Sequence, residues 1–192
     1  SYGITSKHYY MDLMEMSGNN YISQPDASLE YISYPYTIMT PHLFVPSWTK
    51  KVQSGKDLSW EYYTYTHAVF HRTGLGFRGF RKIQTKDAIN NRTMISVFDP
   101  ELFCAETRKE TPTDTITRTY VLERAQNKTA LLKLMKETVK DALNGTEKST
   151  SYEYNAYGQP TSTSTSQGIR LSDNQTSDYL NVENDDIYLL GL

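Results

Sequence analysis

The chain is 192 residues long, carries a formal net charge of −2 and contains 16 tyrosines against six phenylalanines and two tryptophans. That length suffices for one domain with a sizeable core, or two small packed units, and the slightly acidic balance argues against a nucleic-acid or anionic-membrane partner. A single cysteine, Cys104, excludes an internal disulfide framework and a cysteine-built zinc site, and no apolar run approaches the ~20 residues of a membrane-spanning helix.

Tyrosine, threonine and serine together favour half-buried strands, where a ring packs and its hydroxyl stays wet. His8–Met14 is strand-like, and Ser17-Gly18-Asn19-Asn20 is a turn signal. Pro25, Pro35, Pro41 and Pro46 interrupt residues 24–47, so this first unit, 1–47, reads as extended and edge-like pieces, not a continuous ladder. From 48 onward the chain reads as one continuous β-hairpin region. Trp48–Val52 leads through Gln53-Ser54-Gly55-Lys56 into Leu58–Val69, a hairpin.

Residues 62–87, YYTYTHAVFHRTGLGFRGFRKIQTKD, organise the rest. Aromatic and β-branched residues crowd the first half, and Gly74, Gly76 and Gly79 punctuate the second. Strand, glycine corner, strand is the expectation, with Gly76 or Gly79 at positive φ and with Phe77 and Phe80 buried as pins. The same glycines satisfy G-x-G-x-x-G, but no helix-opening pattern follows Gly79, and a helix N-terminus is what makes that fingerprint bind a pyrophosphate.

Ala88-Ile89-Asn90-Asn91 predicts a turn, Arg92–Phe98 a strand broken by Asp99-Pro100, and Thr115–Leu122 a strand by its period-2 alternation. Residues 130–143 carry two competing signals. Leu131, Met135, Val139 and Ala142 fall at helical spacing among good helix formers. Yet no N-cap opens the segment, and Asn144-Gly145 after it is a strong hairpin signal. Thr161–Ser166 reads as a polar strand between turns, and Ile169–Leu171, Tyr179–Val182 and Ile187–Leu190 complete the β pattern.

The segment YTYTHAVFHRTGLGFRGFRKIQTKD resembles the tyrosine strand and glycine-phenylalanine corner of Rhs/YD-repeat proteins, with Leu75 and Arg78 in place of the usual arginine and leucine. Tyr152-Glu153-Tyr154-Asn155-Ala156-Tyr157-Gly158-Gln159-Pro160 is similar to the repeat core Y-x-Y-D-x-x-G-N-P, with Asn155 where the aspartate stands. Tyr188–Leu192 is a looser match to the closing W-x-L-G-R. The resemblance runs from about Trp48 to the end of the sequence. It implies an all-β fold of antiparallel hairpins, with Ala130–Lys140 a strand. It further implies a secreted or surface-exposed bacterial protein whose repeats form a shell around a C-terminal, often toxic, cargo domain. The sequence opens at Ser1 without an apolar leader and reads as a piece of a larger protein. Nothing matches the autoproteolytic segment of such shells, so the resemblance supplies no catalytic residue.

Other constellations are weak. His67 and His71 have the spacing of H-E-x-x-H, but Ala68 stands where the glutamate belongs and the context is a strand. No G-x-S-x-G elbow and no cysteine–histidine pair offers a nucleophile. Asn91, Asn127, Asn144 and Asn174 begin N-x-[ST] triplets. The expectation is therefore a non-catalytic structural segment with no cofactor and no metal, packing with neighbouring repeats and self-associating through strand edges. The alternative is a β-rich binding module for carbohydrate or a surface protein, using Trp48, Trp60 and the tyrosines.

Overall fold

The computed structural model describes residues 3–18, 20–124, 130–155, 157–167 and 171–176. These form a single sheet of thirteen strands, almost wholly antiparallel, and the fold is all-β. In chain order the strands are β1 (Ile4–Asp12), β2 (Tyr21–Ile22), β3 (Tyr36–Met39), β4 (Phe44–Gln53), β5 (Lys56–His71), β6 (Gly76–Asp87), β7 (Arg92–Asp99), β8 (Ala105–Glu110), β9 (Asp114–Arg124), β10 (Ala130–Asp141), β11 (Glu147–Tyr154), β12 (Pro160–Gln167) and β13 (Leu171–Thr176). From β4 onward every strand pairs with the next, a plain meander, and β1 lies outside β4. Among the described residues the only helix is a 3₁₀ turn, Pro100–Leu102, started by Asp99 Oδ1 accepting from Glu101 N at 2.8 Å.

The hairpins close with the turn chemistry that their residues dictate. Ser54 and Gly55 both have positive φ, 49° and 78°, which a two-residue connection between twisted strands requires. β5 outruns β4, their ladder ending at Trp48 opposite Tyr62. The edge left open on β5 is filled by the proline-interrupted segment, which adds β2 in parallel beside Tyr65–Thr66 and β3 in antiparallel beside Ala68–His71. There the core lies. Leu13, Met16, Tyr21, Val45, Tyr65 and Ala68 form one buried cluster, with Met11, Leu43, Tyr63, Phe70, Phe80 and Ile83 packed against it.

Past β7 no second layer covers the sheet among the described residues. Exposure there alternates along the strands. In β9, Ile116, Arg118, Tyr120 and Leu122 are half-buried while Thr117, Thr119, Val121 and Glu123 are exposed. In β12, Thr161, Thr163 and Thr165 are half-buried while Ser164 and Ser166 are exposed. A period of two places each set on one face of the sheet.

Ala130–Asp141 is a strand, paired along its length with β9 and then with β11. Two ladders outweigh a propensity difference of a few tenths of a kcal/mol per residue. The glycine corner needs correction. The turn is residues 72–75, and Gly76, Phe77, Gly79 and Phe80 already belong to β6. Arg78 is the extra residue there, since Val69 faces Gly79 while Phe70 faces Phe77. Gly74, Gly76 and Gly79 all have positive φ (108°, 66° and 104°), but Phe77 is 40% exposed and Phe80 only half-buried. At this end β6 pairs with β5 but lies beyond the β7 ladder, and Phe77 meets the Phe70 and Phe80 rings there while staying partly exposed. Asn19, Asn127, Ala156, the Ile169-Arg170 part of the expected strand Ile169–Leu171, and the expected elements Tyr179–Val182, Ile187–Leu190 and Tyr188–Leu192 lie outside the described residues.

Candidate functional site: the repeated tyrosine hairpins

Strands β4, β8 and β10 each carry one extra residue relative to a neighbour in the sheet, β1, β7 and β9 respectively: Ser47, Thr107 and Met135. A bulge takes a carbonyl out of the ladder, and a buried carbonyl left unpaired costs about 1–3 kcal/mol. In each case a tyrosine of the following strand supplies the donor. Tyr65 Oη donates to Pro46 O at 2.7 Å, Tyr120 Oη to Glu106 O at 3.2 Å and Tyr154 Oη to Leu134 O at 2.8 Å. The register is common to all three. The accepting carbonyl precedes the bulged residue, and the residue after the bulge (Trp48, Arg108, Lys136) pairs with Tyr62, Thr117 and Ser151, each three positions before its tyrosine. Burial pushes the Tyr65 phenol far above its ordinary range and raises Tyr120 as well, so both keep their proton and donate at neutral pH.

The Tyr152–Pro160 motif is the third of these units together with its turn. Asn155 Oδ1 accepts from Tyr157 N at 3.0 Å and Gln159 N at 2.9 Å, and its Nδ2 donates to Gln159 Oε1 at 3.0 Å. An aspartate would accept the same two backbone bonds, so the asparagine keeps the turn and adds a tie. Gly158 sits at φ 79°, and a Cβ there would fall 2.4 Å from Leu131 Cδ2. Pro160 opens β12 opposite Tyr154. Gly158→Ala is expected to cost about 1–2 kcal/mol from the left-handed backbone, with partly exposed Leu131 swinging away. Gly145→Ala, at φ 66° in open space, isolates the backbone part. Urea unfolding of both variants checks this, and an unchanged midpoint for Gly158→Ala contradicts it.

A second repeat sits in the turns. Asp87 Oδ1 accepts from Ile89 N at 2.9 Å and Asn90 N at 3.2 Å, and its Oδ2 from Asn90 Nδ2 at 2.6 Å. Asp141 does the same with Leu143 N at 2.7 Å, Asn144 N at 3.1 Å and Asn144 Nδ2 at 2.8 Å. Asn91 and Gly145 then take positive φ, 49° and 66°. The pattern Asp-Ala-[Ile/Leu]-Asn-[Asn/Gly] recurs at 87–91 and 141–145 and was the overlooked signal of internal repetition. Hydrogen bonds from the Asn90 side chain hold Asp87 below the usual carboxylate range, and backbone N–H groups of Leu143 and Asn144 do so for Asp141. Lowered folded values mean stability present above the unfolded value near ~3.9 and lost as pH falls through the folded values. Thermal midpoints are therefore expected to fall between pH 5 and pH 3, less so in an Asp87→Asn/Asp141→Asn variant. Equal losses in the two proteins would count against the turns.

The half-buried face of the later strands gathers Tyr120 and Tyr152 with an ion-paired group. Arg118 Nε donates to Glu137 Oε2 at 2.7 Å and its Nη1 binds Glu106. Burial works against that guanidinium, but the two carboxylates outweigh it and hold it above its ordinary value. On β1, β4 and β5 an aromatic row runs across strands. Tyr9 stacks on Trp48 at 5.5 Å, Trp48 faces Tyr62 in register, and Trp60 lies 5.3 Å from Tyr62 with Lys50 Nζ over its ring. The two histidines at metal-like spacing work apart. His67 Nε2 donates to Gln24 O at 2.8 Å, whereas His71 pairs with Thr73 and packs edge-on against Tyr36. Cys104 is half-buried, its thiol pushed up by burial, and its Sγ lies 3.1 Å from where a Cβ on Gly79 would sit. Among the described residues these side chains are engaged with one another through hydrogen bonds, ion pairs and ring contacts. Comparison with family models, curated proteins and solved structures finds no match.

Proposed function

We propose that this chain is a non-catalytic structural strip of a shell of the Rhs/YD-repeat type, packing with neighbouring repeats in a secreted or surface-exposed protein. The observation that carries the proposal is the bulge–tyrosine unit, present in three hairpins of one meander. It uses its tyrosines to fix the bend of a sheet, and a sheet bent by the same device at intervals curls. The one-layer region adds support. A half-buried face of tyrosine, threonine and aliphatic residues backs a face of exposed serine, threonine and charge, as a wall with an inside and an outside requires. The inward face would meet adjoining repeats or cargo.

Thiol labelling tests this in a Cys104→Ser background, with Thr163→Cys on the half-buried face and Ser164→Cys on the exposed one. In this chain alone both sites react. In a longer protein that carries the strip together with its adjoining repeats, Thr163→Cys is expected to become slow while Ser164→Cys stays fast. Equal reactivity in the longer protein overturns the shell reading.

The aromatic row of Tyr9, Trp48, Tyr62 and Trp60 supports a second reading, a carbohydrate-binding module. Its rings are largely occupied with one another, which is how cross-strand aromatics stabilise a sheet. Retention on insoluble polysaccharide, lost in Trp48→Ala with the fold intact, would favour this reading over the shell.

A further inference from the structure

Between β2 and β3 the chain crosses β5 and β6 as a strap, residues 23–35, without joining any ladder. None of its residues is buried, and Tyr31 and Tyr34 are 94% and 72% exposed. Apolar packing therefore does little to hold it. Side chains of the sheet hold it instead, at residues 24, 26 and 30, on either side of a turn in which Leu29 N donates to Asp26 O at 3.0 Å and Ser28 N to Asp26 Oδ1 at 2.9 Å. His67 Nε2 donates to the Gln24 carbonyl, Lys82 Nζ pairs with the Asp26 carboxylate and reaches Ser28 Oγ, and an Arg81 guanidinium N–H donates to the Glu30 carbonyl.

The underlying groups are partly buried and incompletely partnered. His67 is 3% exposed, stands at φ 54° in mid-strand, and has a buried Nδ1 without a partner. A side chain that is not glycine at positive φ in a strand is strained, and such strain clusters at binding sites. The Arg81 Nε is likewise buried and unpartnered. Burial pulls the Arg81 guanidinium down from its ordinary value, against the pull of Asp99, Glu30, Asp26 and Glu101. The Asp26 carboxyl is held well below the usual range, chiefly by Lys82. Two donors aimed at main-chain carbonyls flank one cation aimed at a carboxylate. That reads backbone at both ends and an acidic side chain between them.

We infer that His67, Lys82 and Arg81 form a recognition site for an acidic peptide that turns at its carboxylate residue, which the strap Gln24–Glu30 occupies in cis. The occupant is a segment with the strap's chemistry: a carbonyl, a carboxylate two residues on and a second carbonyl four residues further. Charge complementarity to Lys82 selects the acid. The strap lies at the low-stability end of the fold, because few apolar contacts oppose its release. The core side chains Leu13, Met16 and Tyr21 lie outside it and keep the N-terminal segment docked when it opens. This site is independent of the shell reading.

The test uses the full chain and a fluorescent peptide with the sequence of residues 24–30, Gln-Pro-Asp-Ala-Ser-Leu-Glu. In Asp26→Ala, amide hydrogen exchange across 23–35 is expected to accelerate while that of β5 is unchanged. The labelled peptide is expected to bind this variant about tenfold or more tighter than wild type, because the cis occupant no longer competes. A peptide with lysine in place of the aspartate is expected not to bind, and the Asp26→Ala/Lys82→Ala chain is expected to lose the wild-type peptide. Asp26→Asn, nearly isosteric, is expected to behave like Asp26→Ala. Exchange across 23–35 that stays at the wild-type rate in both Asp26 variants overturns the inference. So does a loosened strap with no gain in peptide affinity, or equal binding of the lysine peptide.

Discussion

Tyr21→Ala is expected to be among the most damaging single substitutions in this protein, costing about 4–5 kcal/mol, the upper range for removing a fully buried aromatic ring. Tyr21 is wholly buried, and its hydroxyl works in two directions, donating to Met39 O at 2.7 Å and accepting from Ala68 N at 3.2 Å. That one oxygen joins β3 to β5 across the place where β2 ends. Its own amide donates to Met16 O at 3.0 Å, closing the turn that carries Leu13 and Met16 into the core. Tyr21→Phe keeps the ring and strands both partners, so about 1–3 kcal/mol is expected from the unpaired groups. Urea midpoints of the two variants separate ring from hydroxyl. A cost below about 1 kcal/mol for Tyr21→Ala would mean that the N-terminal segment does not contribute to the stable core.

Tyr65→Ala is the second, with about 3–5 kcal/mol expected for the ring. Tyr65 is 5% exposed, lies 4.6 Å from the Phe80 ring and satisfies the carbonyl that the Ser47 bulge frees. Tyr65→Phe should cost about 1–2 kcal/mol, since it leaves the Pro46 carbonyl dry. Tyr120→Phe and Tyr154→Phe remove the same bond from half-buried sites, where water replaces the hydroxyl, and should each cost less. Denaturant unfolding of the three phenylalanine variants tests the unit itself. Equal, negligible losses would reduce the bulge–tyrosine pattern to a coincidence of register.

The strands whose signals are local were legible in the sequence. Ser54-Gly55 specified a two-residue turn, the alternation of Thr115–Leu122 specified a strand with one wetter face, and Asn155 and Gly158 specified a turn whose bonds match their chemistry. Ala130–Asp141 was not legible from its own residues, because Leu131, Met135 and Val139 satisfy a helix as well as a strand. The glycine corner was misplaced for a related reason. Composition shows that Gly76 and Gly79 tolerate positive φ, but whether they sit in a turn or a bulge depends on where β5 ends.

The sequence by itself determined the all-β class, the turns at Ser54-Gly55, 88–91 and 155–158 and the two-period faces, because those follow from side-chain sterics and local hydrogen bonding. Only the tertiary structure decided which carbonyls the bulges release, which tyrosines answer them, and that residues 20–39 complete the edge of β5. Those are long-range pairings. Pro46 and Tyr65, or Gln24 and His67, carry no mark in the sequence of their partner, and only the register of strands brings donor to acceptor.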